Sequence, residues 1–250
     1  MYKPKILCVD IETSPLKTIV WSTGTQFVSH NQIIPGGHAQ IITASISWRG
    51  SGVVKHRDWG LKKQCDKSLV KWLAAELVKA DIIIGQNHKR FDIKWINARL
   101  AYHGLPPINV ATLSLEDTLL LSRKSFHLPS HSLAYLLRYF GLPEQKQSGG
   151  GWERVIDIVF HKKRQALDDH HFYCDHDVLG TFALFDKIAP YVDLTKSFGL
   201  IKNGTRDSCP SCGSKEFKTT NNYYYTKVSK YYKYQCTGCM HIWKDTRKVK

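Results

Sequence analysis

The chain opens on a mostly apolar run, KILCVDIE at positions 5–12, whose length and composition predict a largely buried strand. Three stretches follow, TIVWSTGTQFV, IITASISWRG and GVVKHRDW, rich in β-branched and aromatic residues and set off by glycine-containing breaks. They predict further strands of the same sheet. The period then lengthens. Leu69, Trp72, Leu73, Leu77 and Ala80 recur mostly three or four apart, the spacing of one helix face. Residues 81–86 predict another short buried strand, and 91–103 another helix, closed by Gly104 and Pro106. Beyond that the helical period dominates, with one helix started by Pro129-Ser130 and ended at Gly141, and a long one from about 164 to about 188. Strands first, with helices interposed and then dominant, predict an α/β domain built on a mixed sheet flanked by helices. The Gln-Ser-Gly-Gly-Gly stretch at 147–151 is expected to be a loop inside that domain.

The 250 residues are 42% hydrophobic and 23% charged, enough apolar material for an ordinary core and too much for wholesale disorder. No run nears the roughly 20 apolar residues of a membrane helix. The N-terminal Met1-Tyr2-Lys3-Pro4-Lys5 leads into a run containing Asp10 and Glu12, not into a secretory h-region, so an intracellular, cytoplasmic protein is expected. Thirty-six Lys and Arg against 21 Asp and Glu leave a net charge of +15, which asks for a polyanionic partner. With no amphipathic anchor and with tyrosines mixed among the lysines, nucleic acid is favoured over a membrane surface. The excess is uneven. Residues 202–250 hold 11 Lys and Arg against 3 Asp and Glu, a net +8, and hardly an aliphatic side chain for a core. Such a segment needs a staple. Two domains are expected, 1–200 and 201–250.

Asp10 and Glu12 stand one residue apart on the first strand, so both project from the same side. Two adjacent carboxylates on an apolar strand repel and resist burial unless cations hold them, and an all-oxygen cluster suits Mg²⁺ or Mn²⁺. A strand end, with both acids solvated or paired, would explain the dipeptide alone. A second signal is Asn87-His88-Lys89-Arg90-Phe91-Asp92, directly after the strand IIIGQ, where α/β folds place ligand-binding groups. Asp92 could equally be a first-turn acid favoured by the helix dipole. The third is Tyr173-Cys174-Asp175-His176-Asp177 in the long helix, which sets Tyr173 and Asp177 one turn apart on one face.

Taken together, VDIET, N-x-x-x-F-D and Y-x-x-x-D in this order resemble the DEDD superfamily of 3′–5′ exonucleases, whose fold is ribonuclease-H-like. The last motif matches the tyrosine branch; the histidine branch has His five residues before the last acid, where this chain has Phe172. The exonuclease domain of family B DNA polymerases is the most similar in style, including DTLLLSRKSFHLPSHSLAYLLRYFG between the second and third motifs. The resemblance covers roughly residues 5–190 and stops short of a polymerase domain, so it implies a stand-alone exonuclease of phage or bacterial type, in the host cytoplasm if phage-encoded. It implies metal-dependent hydrolysis of single-stranded or frayed DNA 3′ ends to nucleoside 5′-monophosphates, in replication, repair or recombination. Two Mg²⁺ or Mn²⁺ would be held by Asp10, Glu12, Asp92 and Asp177, with Asp10 shared between them. Tyr173 would orient the attacking water; a phenol of pKa about 10 is mainly protonated at neutral pH and serves as a hydrogen-bond partner. Thr13 and Asn87 are candidates for contact with the terminal nucleotide; Lys89 and Arg90 are candidates for its phosphates and equally for solvated surface. Of 12 histidines, none is assigned a catalytic role. A ribonuclease, or a non-catalytic binding module with a nuclease fold, are the alternatives.

Cys209-Pro-Ser-Cys212, then 23 residues, then Cys236-Thr-Gly-Cys239 resembles a zinc ribbon. Four thiolates on two C-x-x-C knuckles make the closed tetrahedral site of structural Zn²⁺. The spacer contains alternating stretches at 219–228 and 230–235 that suit a β-hairpin. Its tyrosines, Tyr223, Tyr224, Tyr225, Tyr231, Tyr232 and Tyr234, interleave with Lys227, Lys230 and Lys233. Half of these rings are expected to build the small core, and the rest to meet single-stranded nucleic acid or a replication or repair protein.

Overall fold

The computed structural model describes residues 4–108, 113–143, 151–192, 194 and 207–249. Strand β1 (Ile6–Thr13) pairs antiparallel with β2 (Ile41–Trp48) and parallel with β4 (Ile82–Gly85). β3 (Val54–Asp58) extends the sheet beyond β2, and β5 (Ser114–Asp117) extends it in parallel beyond β4, giving the order β3-β2-β1-β4-β5. This mixed five-stranded sheet with helices on both faces is the ribonuclease-H-like arrangement.

Both faces are covered, which is why β1 reads as a continuous apolar run. Leu7, Val9 and Ile11 face α1 (Lys67–Leu77) and α2 (Asp92–Tyr102), where Leu69, Val70, Leu73, Ile96 and Leu100 close one core. Ile6 and Cys8 face the opposite core, built by Val178, Leu184 and Phe185 of α6 (Arg164–Ile188) and by α4 (Leu133–Tyr139). Since side chains alternate along a strand, Asp10 and Glu12 continue the row of Ile6 and Cys8 and point to the α6 side. A buried ionic knot ties the first layer together. Asp66 accepts two bonds from the Arg99 guanidinium (2.7 and 2.9 Å), one from Ile41 N–H (3.0 Å), and meets His103 at 2.6 Å.

Three stretches of the chain depart from the sequence pattern. TIVWSTGTQFV forms no strand; only Thr18 makes an isolated bridge, to Ile33. Its β-forming residues have no apolar face to settle on, and Trp21 and Phe27 stand 97% and 92% exposed. Strand β5 and α3 (Thr118–Ser125) lay unrecognised in LEDTLLLS, where Asp117 caps the helix by accepting from Leu119 and Leu120 N–H (3.1 and 3.2 Å). Helix α5 (Gly151–Val159) begins at the last glycine of the predicted loop, whose residues 147–150 lie outside the described ones. Its Ile158 and Val159 pack with Ile42, Trp59 and Leu167.

The C-terminal part is a separate three-stranded antiparallel sheet, β6 (Phe217–Tyr225), β7 (Lys230–Cys236) and β8 (Ile242–Lys248), in that order. The predicted hairpin is present, and β8 adds a strand beyond it. Phe217, Tyr234 and Trp243 form its ring cluster, with centroids 5.1–5.8 Å apart, and the Tyr234 hydroxyl donates to Asp245 (2.8 Å). The expected domain boundary near residue 200 falls outside the described residues. Among the described residues no helix is long and apolar enough to cross a membrane.

Candidate metal-binding active site

A cleft of about 630 Å³ opens at the C-terminal ends of β1 and β4, lined by Asp10, Glu12, Asn87, Asp92 and Asp177, and across from them by Arg123 and the turn from Pro129 to Leu133. Asp10, Glu12 and Asp177 bring one carboxylate oxygen each to within 4.8 Å of one another. Two come from neighbouring positions on one face of β1 and the third from α6, whose packing on the Ile6–Cys8 row aims Asp177 at them. Such a donor set, all oxygen and anionic, fits a hard divalent cation. The electrostatics agree. Burial pushes the Asp10 carboxyl well above its usual range, and the charges of Asp92, Glu12 and Asp177 push the same way. Cation binding relieves both effects.

Asp92 lines the same cleft but stands outside that group of three. It opens α2, as its first-turn reading implied, yet its carboxylate reaches across to accept from Ile11 N–H at 3.0 Å. Burial raises its pKa to about 7.

The turn bearing the second motif depends on a close approach. Gly85 ends β4, and a Cβ there would come within 2.6 Å of the His88 side chain and 3.1 Å of the Val9 carbonyl. Asn87 then takes a left-handed backbone (φ 63°), a conformation asparagine tolerates. Asp117 clamps this turn by accepting from Asn87 N–H (3.0 Å) and Lys89 N–H (3.1 Å). The opposite wall is tied in by Gln86, which donates to the His131 carbonyl (2.9 Å).

The remaining expected residues divide. Asn87 lines the cleft; Thr13, at a register irregularity of β1, does not, and neither do Lys89 and Arg90. Tyr173 sits one turn before Asp177 on α6, stacked near His170 (centroids 6.4 Å apart), and is not among the residues lining the cleft. His171 meets Asp58 (3.1 Å) and stacks on His56 (4.1 Å), while Asp175 meets Ser45 (2.6 Å) and His56 (2.9 Å). These contacts dock α6 on β2 and β3, away from the acids.

Sequence reasoning missed the supporting groups. The buried Cys174 thiol donates to Asp10 at 3.2 Å; its place beside Tyr173 carried no sign of this. Asp117 is of a helix-capping type and stands directly ahead of TLLL, a signal that went unread. Arg123 and His131 reach the cleft from elements whose packing only the fold reveals.

No protein-family model matches the chain, and no curated protein matches it. Its fold is shared with part of a DNA polymerase. The family B DNA polymerase from the hyperthermophilic archaeon Pyrobaculum calidifontis superposes with a TM-score of 0.58 at 15% sequence identity, over 76% of this chain and 25% of that one. At that identity the likeness is one of fold, and the chain spans about a quarter of the polymerase's length.

The four cysteines also converge. Their sulfurs lie within 4.8 Å of one another, with Cys209–Cys239 and Cys212–Cys236 each at 3.6 Å. Zn–S bonds of about 2.3 Å in a tetrahedron set sulfurs about 3.8 Å apart, so the group fits Zn²⁺. The knuckles match in detail: Gly213 N–H donates to the Cys209 carbonyl and Met240 N–H to that of Cys236, both with left-handed backbone (φ 75° and 62°).

Two buried histidines each favour the fold at neutral pH over acid. Burial holds His170 and His88 down at about 4, far below an ordinary imidazole. His170 faces Arg154 of α5 and its neighbour His171, which disfavour its charge; His88 faces Lys89 and is partly compensated by Asp117. The unfolded chain takes up these protons near pH 6.5, the folded one only near 4. The contribution of these two histidines to stability is therefore lost as pH falls through that window. Asp92, raised to about 7, and Asp10, raised well above its usual range, work in the opposite direction and favour the fold as pH falls. A variant isolates the histidine effect. Among the described residues neither ring nitrogen of His170 has a hydrogen-bond partner, so His170→Leu should hold stability at neutral pH and raise it relative to the parent from pH 6.5 to 4 in thermal melts. An unchanged pH profile would remove His170 as a cause.

Proposed function

We propose that the chain is a metal-dependent 3′–5′ exonuclease acting on single-stranded or frayed DNA. The observation that carries this reading is the convergence of Asp10, Glu12 and Asp177 within 4.8 Å in an open cleft, on a fold shared with part of a DNA polymerase. The net charge of +15 supplies the attraction for a polyanion that a cluster of acids alone would repel.

In this reading Asp10, Glu12, Asp177 and, from the adjoining wall, Asp92 would hold two Mg²⁺ or Mn²⁺. When bound, such ions activate water at neutral pH and stabilise charge on the leaving oxygen. The chain's own groups position the reactants. The Ile11 N–H fixes Asp92, and the Cys174 thiol fixes Asp10. Asn87 and Arg123 face the terminal nucleotide and its phosphate. Water attacks phosphorus, the 3′-oxygen of the penultimate nucleotide leaves and takes a proton, and a nucleoside 5′-monophosphate is released. Tyr173 orients the attacking water through its hydroxyl after a rotation toward the acids one turn away. Residues 1–200 form this nuclease domain, and 201–250 a ribbon held by one Zn²⁺. The setting is replication or repair, with a protein of that machinery as partner.

The direct test is digestion of 3′- and 5′-labelled single-stranded DNA, duplex DNA and RNA with Mg²⁺, Mn²⁺ or chelator. Stepwise loss from the 3′ end of DNA, abolished by chelation, is the expected result. Preference for RNA would make the enzyme a ribonuclease, and no cleavage of any substrate would leave a binding module. Tyr173→Phe should slow hydrolysis about 10²-fold with little change in substrate affinity, the low end for a positioning group. An unaltered single-turnover rate would reduce Tyr173 to packing against His170.

A further inference from the structure

The ribbon sheet sorts its side chains onto two unlike faces. Strand alternation and register put Phe217, Tyr234, Cys236 and Trp243 on one face, with the ring cluster and the cysteines. Lys218, Tyr224, Tyr231, Lys233 and Lys244 fall on the other. There Lys233 and Lys244 are direct cross-strand partners. Like charges directly opposite each other destabilise an antiparallel pair. The single acid within the three strands, Asp245, lies on the ring-cluster face, bound to Tyr234 and Arg247. The sheet thus sets two lysines directly opposite each other, with the acid of its strands on the other face.

Aromatic surface lies beside these charges. Tyr224 and Tyr231 pair across β6 and β7 with centroids 6.4 Å apart, and the Lys244 ammonium stands over both rings, at 4.8 and 5.1 Å. Tyr224 is 42% exposed. Of the lysines singled out in the sequence, Lys230 belongs to the opposite face, over Tyr223 at 3.8 Å, and Lys227 to the turn after β6. Lys218, expected from the sequence as well, stays on this face, and Lys244 joins it there.

We infer that this face of the ribbon binds single-stranded nucleic acid, with Tyr224 and Tyr231 stacking on bases and Lys218, Lys233 and Lys244 meeting phosphates. Paired cations relieved by a polyanion, set against flat rings, are the two elements of sequence-tolerant single-strand binding. A duplex hides the base faces these tyrosines offer. The inference does not depend on cleavage, since binding is read without added magnesium or manganese.

The experiment is a salt titration of full-length protein binding a labelled oligothymidylate, with zinc content and melting recorded for each variant. Lys244→Glu turns a repulsive cross-strand pair into an attractive one, so the ribbon should keep its zinc and melt no lower. Affinity should nonetheless fall several-fold, with the log–log salt slope smaller by about 0.7 for each lost contact. Tyr224→Ala should weaken binding about fivefold or more at constant slope, because stacking releases no counterions. Lys230→Glu, on the other face, should change neither. A zinc-loaded Lys244→Glu protein with unchanged affinity and slope would overturn the inference and leave the face to a protein partner. An equal loss in Lys230→Glu would overturn the assignment to this face.

Discussion

Asp10→Ala is expected to lower hydrolysis by about 10³-fold or more, since metal-bound groups supply several kcal/mol to such transition states and each 1.4 kcal/mol is tenfold. The same substitution should leave the fold intact and the metal-free protein as stable as before, or more so. The physical reason is the crowding at Asp10: its carboxylate is disfavoured by burial and by Asp92, Glu12 and Asp177. Removing it relieves that repulsion at the loss of one hydrogen bond from Cys174. Mg²⁺ or Mn²⁺ should raise the melting temperature of the parent, and that rise should disappear in Asp10→Ala. Activity and cation-dependent melting, measured on one preparation, check both halves. Substantial cleavage by Asp10→Ala would remove the carboxylate cluster from the chemistry, whatever the melting shows.

Cys209→Ser should release zinc and unfold β6, β7 and β8 together. The ribbon has one ring cluster and two fully buried cysteines in place of an aliphatic core. Zinc binding in such modules is worth about 10–16 kcal/mol and is inseparable from folding. Without metal, burial pushes the Cys209 thiol up to about 12 while Cys236 sits at about 7, so the bare sulfurs do not all ionise together. The five-stranded sheet has its own cores, and cleavage of short oligonucleotides should persist. Zinc stoichiometry, limited proteolysis beyond residue 207 and a second melting transition report the outcome. A zinc-free variant with a protease-resistant ribbon would show that the rings alone hold the sheet.

The sequence by itself determined most of the framework and named the acids. A run buried on both faces, β1, interrupted by Asp10 and Glu12, announces its own exception to burial, and two C-x-x-C knuckles announce a tetrahedral site, because each signal lies within a few residues. The long helix was readable to its ends for the same reason: its period persists over 25 residues. What the tertiary structure decided are relations between distant segments. TIVWSTGTQFV has strand-forming residues and no strand, because β propensity expresses itself only against a neighbour that buries one face. Whether Asp177 meets Asp10 depends on how α6 packs across the Ile6–Cys8 row, and whether Cys174 donates to Asp10 depends on the same docking. The tyrosines and lysines of the ribbon could be counted in the sequence but not sorted. The bulges in the β6–β7 and β7–β8 registers and the arrival of β8 set which of them share a face, and a one-residue shift in pairing moves every side chain to the other side.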